Sequence, residues 1–459
     1  MTPSESAAAC LSWLDGRDAA AVERDLADLT HSTYAHAEAL ADAADSSDEA
    51  VRGAGLTALF AGLVEPLNDG FTPAGRAGYA RWFARICWRI ASREPALSQR
   101  LTSFGITDEA ALHTRYQAAR RMPPAAPSQV TKVVVLSRVT IGADLLLTTV
   151  VLQRLRLAYP TAELVVLCDA KLAALIGGFP GVRVRALAYG RRGPLRERLS
   201  AWLTLADAVA EEQPALVIAP DSRLDQLGIL PVCAAEDYVL WENILPVGQA
   251  LPLCRSLDAF LARWLGQPLL PAVEPRTMLD AVTVAARERY KLLIGPRPLA
   301  AVKLDHGGNP AKALPRAAEV SLLRTLRDRG WRILIDRGFG PAEVANNDAL
   351  LAAAGLTAID LRETEAHDAD VLRFEGSIGG WAAACACAQL TISYDSVGHH
   401  LAAGLGVPVI TAFTGHADAR FATAWTPHGP GTVTLIVIPT ALKEQPQQWQ
   451  ALFAAVPQP

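Results

Sequence analysis

Two stretches of this 459-residue chain place acid–base and anion-binding side chains where a strand runs into a helix. The first is Ser137-Arg-Val-Thr-Ile-Gly142-Ala-Asp144, continued by Leu-Leu-Leu-Thr148-Thr149. Asp144 stands at the loop-to-helix junction, and two roles suit a carboxylate there. It can cap the helix, since Asp is among the strongest N-caps, with Gly142 permitting the turn before it. It can also face a cleft between domains and take a proton from an incoming hydroxyl. The residues alone leave both roles open. The second stretch is Tyr394-Asp395-Ser396-Val397-Gly398-His399-His400-Leu-Ala-Ala. A helix beginning there offers free backbone N–H groups, a hydroxyl and imidazole donors, a set that suits a phosphate. The plainer reading is a capped helix with one buried histidine. Successive helical residues point in different directions, so at most one of His399 and His400 is expected to face a ligand.

Other groups carry less. His367-Asp-Ala-Asp370 has the spaced carboxylates that a cation needs, but surface helices and loops carry such pairs often, and no metal is expected. Six of the nine histidines (His306, His367, His399, His400, His416 and His428) fall late in the chain without the spacing of a ligand set. The chain has no Gly-x-Ser-x-Gly elbow, no kinase motif set, no Walker loop and no Gly-x-Gly-x-x-Gly fingerprint, which disfavours the enzyme classes built on them.

The elements that position these residues follow from hydrophobic spacing. After a proline-rich stretch at 122–129, a short apolar run at 133–136 predicts a strand buried on both faces, and 164–167, 182–187 and 215–219 predict further strands. Helical patterns at 144–159 and 199–212 lie between them. A second series predicts strands at 301–304, 331–335, 390–394, 407–412 and 433–438, with helices at 317–329, 341–354 and 380–388. Strand–helix alternation of this kind builds a parallel, doubly wound sheet, and two series in one chain predict two Rossmann-like domains facing a cleft. Such sheets bind ligands beyond the carboxyl ends of their strands, where both stretches fall. The expected organisation is a helical domain over 1–121, a linker over 122–129, a first Rossmann-like domain over 130–297 and a second over 298–459.

Composition bounds the remaining choices. Hydrophobic residues make up 51% and charged residues 20%, which excludes a disordered, collagen-like or coiled-coil chain. A formal charge of −4 gives no global attraction to nucleic acid, and none is expected as a partner. Seven scattered cysteines without a Cys-x-x-Cys pair suit a reducing compartment. No basic region precedes an apolar run at the start, and apolar stretches such as 145–152 are too short to span a bilayer, so the expectation is a cytoplasmic protein. In the helical region Arg81, Arg85, Arg89 and Arg93 recur every fourth residue beside an apolar stripe of Tyr79, Trp82, Phe83, Ile86 and Ile90. The favoured reading is a solvated or salt-bridged face. The sharper alternative is a surface for anionic lipid or an acidic protein, which would hold the protein peripherally at the inner face of a membrane.

At the two strand–helix junctions the sequence resembles the heptosyltransferases, glycosyltransferase family nine. The family's first motif, Arg-x-Ser-x-(Leu/Ile)-Gly-Asp-x-x-x-Thr-Thr, stands here as Arg138-Val-Thr-Ile-Gly142-Ala-Asp144-Leu-Leu-Leu-Thr148-Thr149, with Ala143 inserted. Its last motif, Asp-(Ser/Thr)-Gly-x-x-His-Leu-Ala-Ala-x-x-Gly-x-Pro, stands as Asp395-Ser396-Val397-Gly398-His399-His400-Leu-Ala-Ala-Gly-Leu-Gly-Val-Pro408, with the first Gly moved by one position. Between them, His306-Gly-Gly-Asn309-Pro-Ala-Lys312-Ala-Leu-Pro315 is similar to the family's Gly-rich loop ending in Lys-x-Trp-Pro. The resemblance covers about 130–440 and leaves the helical region aside. It implies the GT-B fold and an inverting, metal-independent glycosyltransferase that uses a nucleotide-diphosphate sugar, of the ADP-heptose kind in the family, and no further cofactor. Acceptors would be saccharide, lipid-linked or protein. It further implies Asp144 as the base, with Lys312, Ser396, Gly398, His399 and His400 at the donor. Asn309 belongs to the Gly-rich loop, Asp395 accepts from donor-sugar hydroxyls, and Glu343 is the acidic ribose contact. The altered motifs leave two other readings, a sugar-nucleotide-binding protein without catalysis and a sugar-nucleotide epimerase of the same fold.

Overall fold

Val133, Val134 and Val135, flanked by Lys132 and Leu136, form the central strand of a five-stranded sheet because β-branched side chains suit a pleated surface covered on both faces. In the computed structural model the strands of this sheet are β1 Lys132–Leu136, β2 Glu163–Cys168, β3 Val182–Ala186, β4 Leu216–Pro220 and β5 Tyr238–Trp241. Their order is β3-β2-β1-β4-β5, with parallel registers such as Val134 opposite Val165 and Val217. A seven-stranded sheet follows, from β6 Leu299–Lys303, β7 Arg332–Asp336, β8 Ile359–Asp360, β9 Val371–Phe374, β10 Leu390–Tyr394, β11 Val409–Phe413 and β12 Val433–Val437. Its order is β12-β11-β10-β6-β7-β9-β8, and its described pairings are again parallel. The structure describes all residues except Met122, Pro124, Arg191, Arg192, Val247, Gly307, Gly308, 363–368, Ala417 and Ala419.

Packing divides the chain into two compact units. The first comprises Met1–Val139, Arg154–Asp169 and Arg183–Pro271. The second comprises Thr140–Gln153, Ala170–Val182 and Ala272–Pro459. The helical region over 1–121 is therefore not a body of its own in this division. Tyr79, Phe83 and Tyr116 from its helices share one apolar core with Val134, Val165, Val217 and Tyr238 of the first sheet. Burying each such side chain stabilises by about 1.5–3 kcal/mol, so helices and sheet hold each other in place. Arg76, on the Pro73–Ala91 helix, reaches beyond the carboxyl ends of β4 and β5. There its guanidinium meets Asp221 at 2.5 Å and Asn243 at 2.5 Å, and Arg138 pairs with the other oxygen of Asp221. All three charged groups of this cluster are buried.

The arginine stripe of the same helix, with Arg93 just past its end, is salt-bridged. Arg81 meets Glu23 at 3.1 Å, Arg85 meets Glu109 at 2.8 Å, and Arg89 and Arg93 meet Asp42 at 2.7 and 2.9 Å. Carboxylates of three neighbouring helices thus occupy the face that the lipid-binding alternative needed, and that alternative loses its support. One continuous helix, Glu49–Asp69, is long and apolar enough to cross a membrane by length and composition, which a scan for apolar runs overlooks because alanine and glycine dilute it. Its Leu59, Leu63, Val64 and Leu67 lie in the first unit's core.

Candidate functional site

In the second unit the chain leaves β6 for β7 on one side and returns to β10 on the other. Helices and loops therefore diverge above the carboxyl ends of β6 and β10, the place where open parallel sheets bind ligands. After β6, Asn309 caps the single 3-10 turn Pro310–Lys312 by accepting the Ala311 N–H at 3.0 Å. That turn aims Lys312 at the residue following β10: its Nζ donates to Asp395 Oδ2 at 2.5 Å. Gly415, beyond β11, has φ +85°, and a Cβ there would lie 2.6 Å from Ala311. Only glycine lets the β11 loop press against the turn that carries Lys312.

The helix Val397–Leu405 begins with Ser396 as its N-cap, whose hydroxyl accepts the Gly398 N–H at 3.3 Å. Ser396 thus shapes the helix start, and its Oγ lies 3.3 Å from Ser393 Oγ. A Cβ on Gly398 would come within 2.6 Å of Ser393 Oγ and 3.1 Å of Lys303 Cδ. The shifted glycine of the motif is required by packing beneath the helix. Gly398→Ala is therefore expected to destabilise by about 1–3 kcal/mol through overpacking, read as a lowered Tm in thermal unfolding; an unchanged Tm would refute this account. His399 is fully buried, with Nδ1 2.9 Å from Thr411 Oγ1 and its ring stacked 5.4 Å from Phe413. Burial holds its pKa well below the usual value. His400 is also buried, and burial, then the neighbouring His428 and Lys312 charges, lower its pKa to about 3. Its imidazole is therefore neutral at pH 7, and among the described residues its Nδ1 has no hydrogen-bond partner.

Asp144 lies in the second unit, on the segment Thr140–Gln153, rather than with the five-stranded sheet. Helix starts at Ile141, so Thr140 holds the cap position and Asp144 has helical φ −65° and ψ −41°. Its capping role is thereby removed. Residues Asp144–Thr148 form a π turn, which accommodates one residue more than an α turn, the number by which Ala143 lengthens this motif. Thr148 Oγ1 donates to Asp144 Oδ1 at 2.7 Å, within the interior of the unit. Gly142 serves close approach rather than an unusual turn. A Cβ there would sit 3.1 Å from His400 Cδ2 and 3.3 Å from Val397 Cα. The segment bearing Asp144 thus rests against the start of the Val397–Leu405 helix, so that residues some 250 apart in the chain meet in one unit.

Glu343 stands apart from this group. It follows β7 at the same sheet edge, but its Oε2 accepts the Phe339 N–H at 2.6 Å and so closes its own loop. His367 and Asp368 lie outside the described residues; Asp370 pairs with Arg297 at 2.6 Å. Among the described residues no group of three or more His, Cys, Asp and Glu is placed to hold a metal. Three features escape a reading of the motifs. His416 Nε2 lies 3.4 Å from Asp395 Oδ2, and Phe421 stacks on His416 with centroids 3.9 Å apart. Lys303, buried at the end of β6, pairs with Asp336 and, at 3.4 Å, with Asp305. Burial alone would lower its pKa, but the two carboxylates outweigh it and raise the value. The position of His416 three residues after a strand was visible in the sequence; its partner was not.

No family model matches the sequence, and no curated protein does. Among solved structures, a family 9 glycosyl transferase from Veillonella parvula is similar with a TM-score of 0.51 at 15% identity, over 69% of this chain and 88% of that one. An ADP-heptose lps heptosyltransferase II from E. coli gives 0.48 at 15% identity, over 71% and 99%. An E. coli heptosyltransferase solved with ADP gives 0.48 at 16% identity, over 66% and 93%. The first of these shows the fold: the chain has the two-sheet α/β architecture of a family 9 glycosyl transferase, as the motifs implied, preceded by helices.

Proposed function

We propose that this protein transfers a sugar from a nucleotide-diphosphate sugar to an acceptor hydroxyl, with inversion and without a metal. The observation that carries the reading is the corner above β6, β10 and β11. The Val397–Leu405 helix presents its N-terminus there, Lys312 brings a cation, and three buried polar atoms, His400 Nδ1, Thr414 Oγ1 and His416 Nε2, have no hydrogen-bond partner among the described residues. Buried polar atoms are normally paired, so a cluster of unpaired ones beside a helix N-terminus suits a ligand rich in oxygens. Breaking the bond between sugar and diphosphate puts negative charge on the diphosphate, and the helix N–H groups and Lys312 oppose it where it develops. His400, uncharged, adds a hydrogen bond. Asp144, on the segment packed against that helix, takes the acceptor's proton as its oxygen attacks. Attack from the face opposite the leaving diphosphate inverts the anomeric carbon in one displacement.

A panel of nucleotide sugars tested by thermal unfolding, followed by mass spectrometry of transfer products, examines this reading. A donor at 100 times its Kd stabilises by about 2.7 kcal/mol. Stabilisation by none of them would sink the proposal, and an epimerised donor formed without acceptor would replace it with isomerisation. Because protein groups meet the leaving charge, transfer is expected to persist in EDTA at its original rate; loss on chelation and return with Mg²⁺ or Mn²⁺ would show the metal-free reading to be wrong.

A further inference from the structure

His416 is held in an arrangement that the proposed reaction leaves unused. Its Nε2 sits 3.4 Å from Asp395 Oδ2 without forming a hydrogen bond, and its ring lies flat on Phe421, 13° from parallel. Three other groups face the same corner. Lys312 pairs with the same oxygen of Asp395 at 2.5 Å and stands 5.8 Å above the Phe421 ring, and His399 Nε2 lies 3.8 Å from Asp395 Oδ1. The Phe413 ring centroid stands 5.7 Å from that of His416. Resting on the donor-site reading above, we propose that His416 is a further anion-binding residue. It takes a proton from solvent as a nucleotide's diphosphate arrives, and the imidazolium faces the leaving group as a second cation beside Lys312.

Three influences act on the ring. Burial keeps it neutral, Asp395 favours its charge, and Lys312 opposes it; together they lower its pKa to about 4. A diphosphate brings two or more negative charges to this corner and neutralises the effect of Lys312. The balance at His416 then turns toward the charged form, and the stacked Phe421 ring favours a cation over its face. His399 is a poorer proton acceptor. It is fully buried, its Nδ1 is engaged by Thr411, and it stands farther from Asp395. His416 retains some exposure, so solvent can deliver the proton.

The linkage has a definite sign. A group whose pKa rises on binding takes up a proton, so affinity falls as pH rises from about 4 through the higher pKa of the complex. In that window the Kd weakens by up to about tenfold per pH unit. Calorimetric titration of the full chain with ADP, UDP and GDP, at pH 5.5–7.5 in buffers of different ionisation enthalpy, measures the uptake directly. His416→Gln and His416→Asn serve as comparisons, which also subtract the probe's own phosphate titration. The expected result is a wild-type uptake exceeding that of either variant by about one proton near pH 6, with about tenfold weaker binding by the variants there. Binding without uptake in the wild type would overturn the inference and leave the donor-site reading standing. Equal uptake in wild type and both variants would also overturn it, by placing the proton on another group such as His399. Failure of all three probes to bind would overturn both.

Discussion

Asp144→Asn is expected to lower sugar transfer by about 10²–10⁴-fold while donor affinity and folding stay nearly unchanged. The substitution keeps the shape of the side chain and keeps an oxygen that can accept the Thr148 hydroxyl, now donated to Asp144 Oδ1 at 2.7 Å. It removes only the ability to take a proton. Asp144→Ala also removes the acceptor and leaves the buried Thr148 hydroxyl without this partner, a further loss of about 1–3 kcal/mol of stability. The comparison separates chemistry from architecture: the Ala variant lowers Tm and rate together, the Asn variant the rate alone. Steady-state transfer rates and thermal unfolding on both proteins provide the check. A fully active Asn variant would assign Asp144 a structural role, and the base would then be some other group.

Strand positions were legible wherever apolar residues came in unbroken short runs. β1, β2, β4 and β10 fall within a residue of their expected bounds, because a strand covered on both faces admits little else. β5 and β9 were missed for the opposite reason. Tyr238-Val-Leu-Trp241 is short and follows a turn, and Val371-Leu-Arg-Phe374 carries a charge at its centre, so neither stands out from its surroundings. Motif residues were legible as chemistry but not as partners. The motif marks Asp395 as a polar contact but does not reveal that its carboxylate is engaged by Lys312 from a loop 83 residues earlier in the chain. The sequence suggests a cap at Asp144 because Gly142 implies a loop before it; the helix begins three residues sooner.

The helical region shows the same limit at larger scale. A proline-rich stretch reads as a linker, yet Arg76 has its partners Asp221 and Asn243 beyond β4 and β5, and no local spacing reveals a pairing across 145 residues. A buried arginine is stable only when paired, so the partner had to exist somewhere. Which residue supplied it depended on the fold. The four-residue repeat of arginines likewise predicted a face but not its occupant, which proved to be carboxylates of neighbouring helices.

Lys312→Met is expected to reduce kcat by about 10²–10³-fold, the loss typical of removing one group that opposes charge developing in the transition state. Its interpretation needs a second variant. Without the ammonium, the interior Asp395 side chain loses its Lys312 partner, leaving His399 and His416 beside it among the described residues, and the site is destabilised by about 1–3 kcal/mol. A loss of rate from that distortion would resemble a loss of catalysis. Lys312→Met combined with Asp395→Asn removes both charges, so Tm is expected to return toward the wild-type value while the rate stays low. Arginine is expected to rescue poorly, since its planar fork does not fit where a point charge reaches Asp395 at 2.5 Å over a backbone pressed against Gly415. Recovery of both Tm and rate in the double variant would mean that Lys312 serves only to neutralise Asp395, and the leaving diphosphate would have to find its cation at another residue.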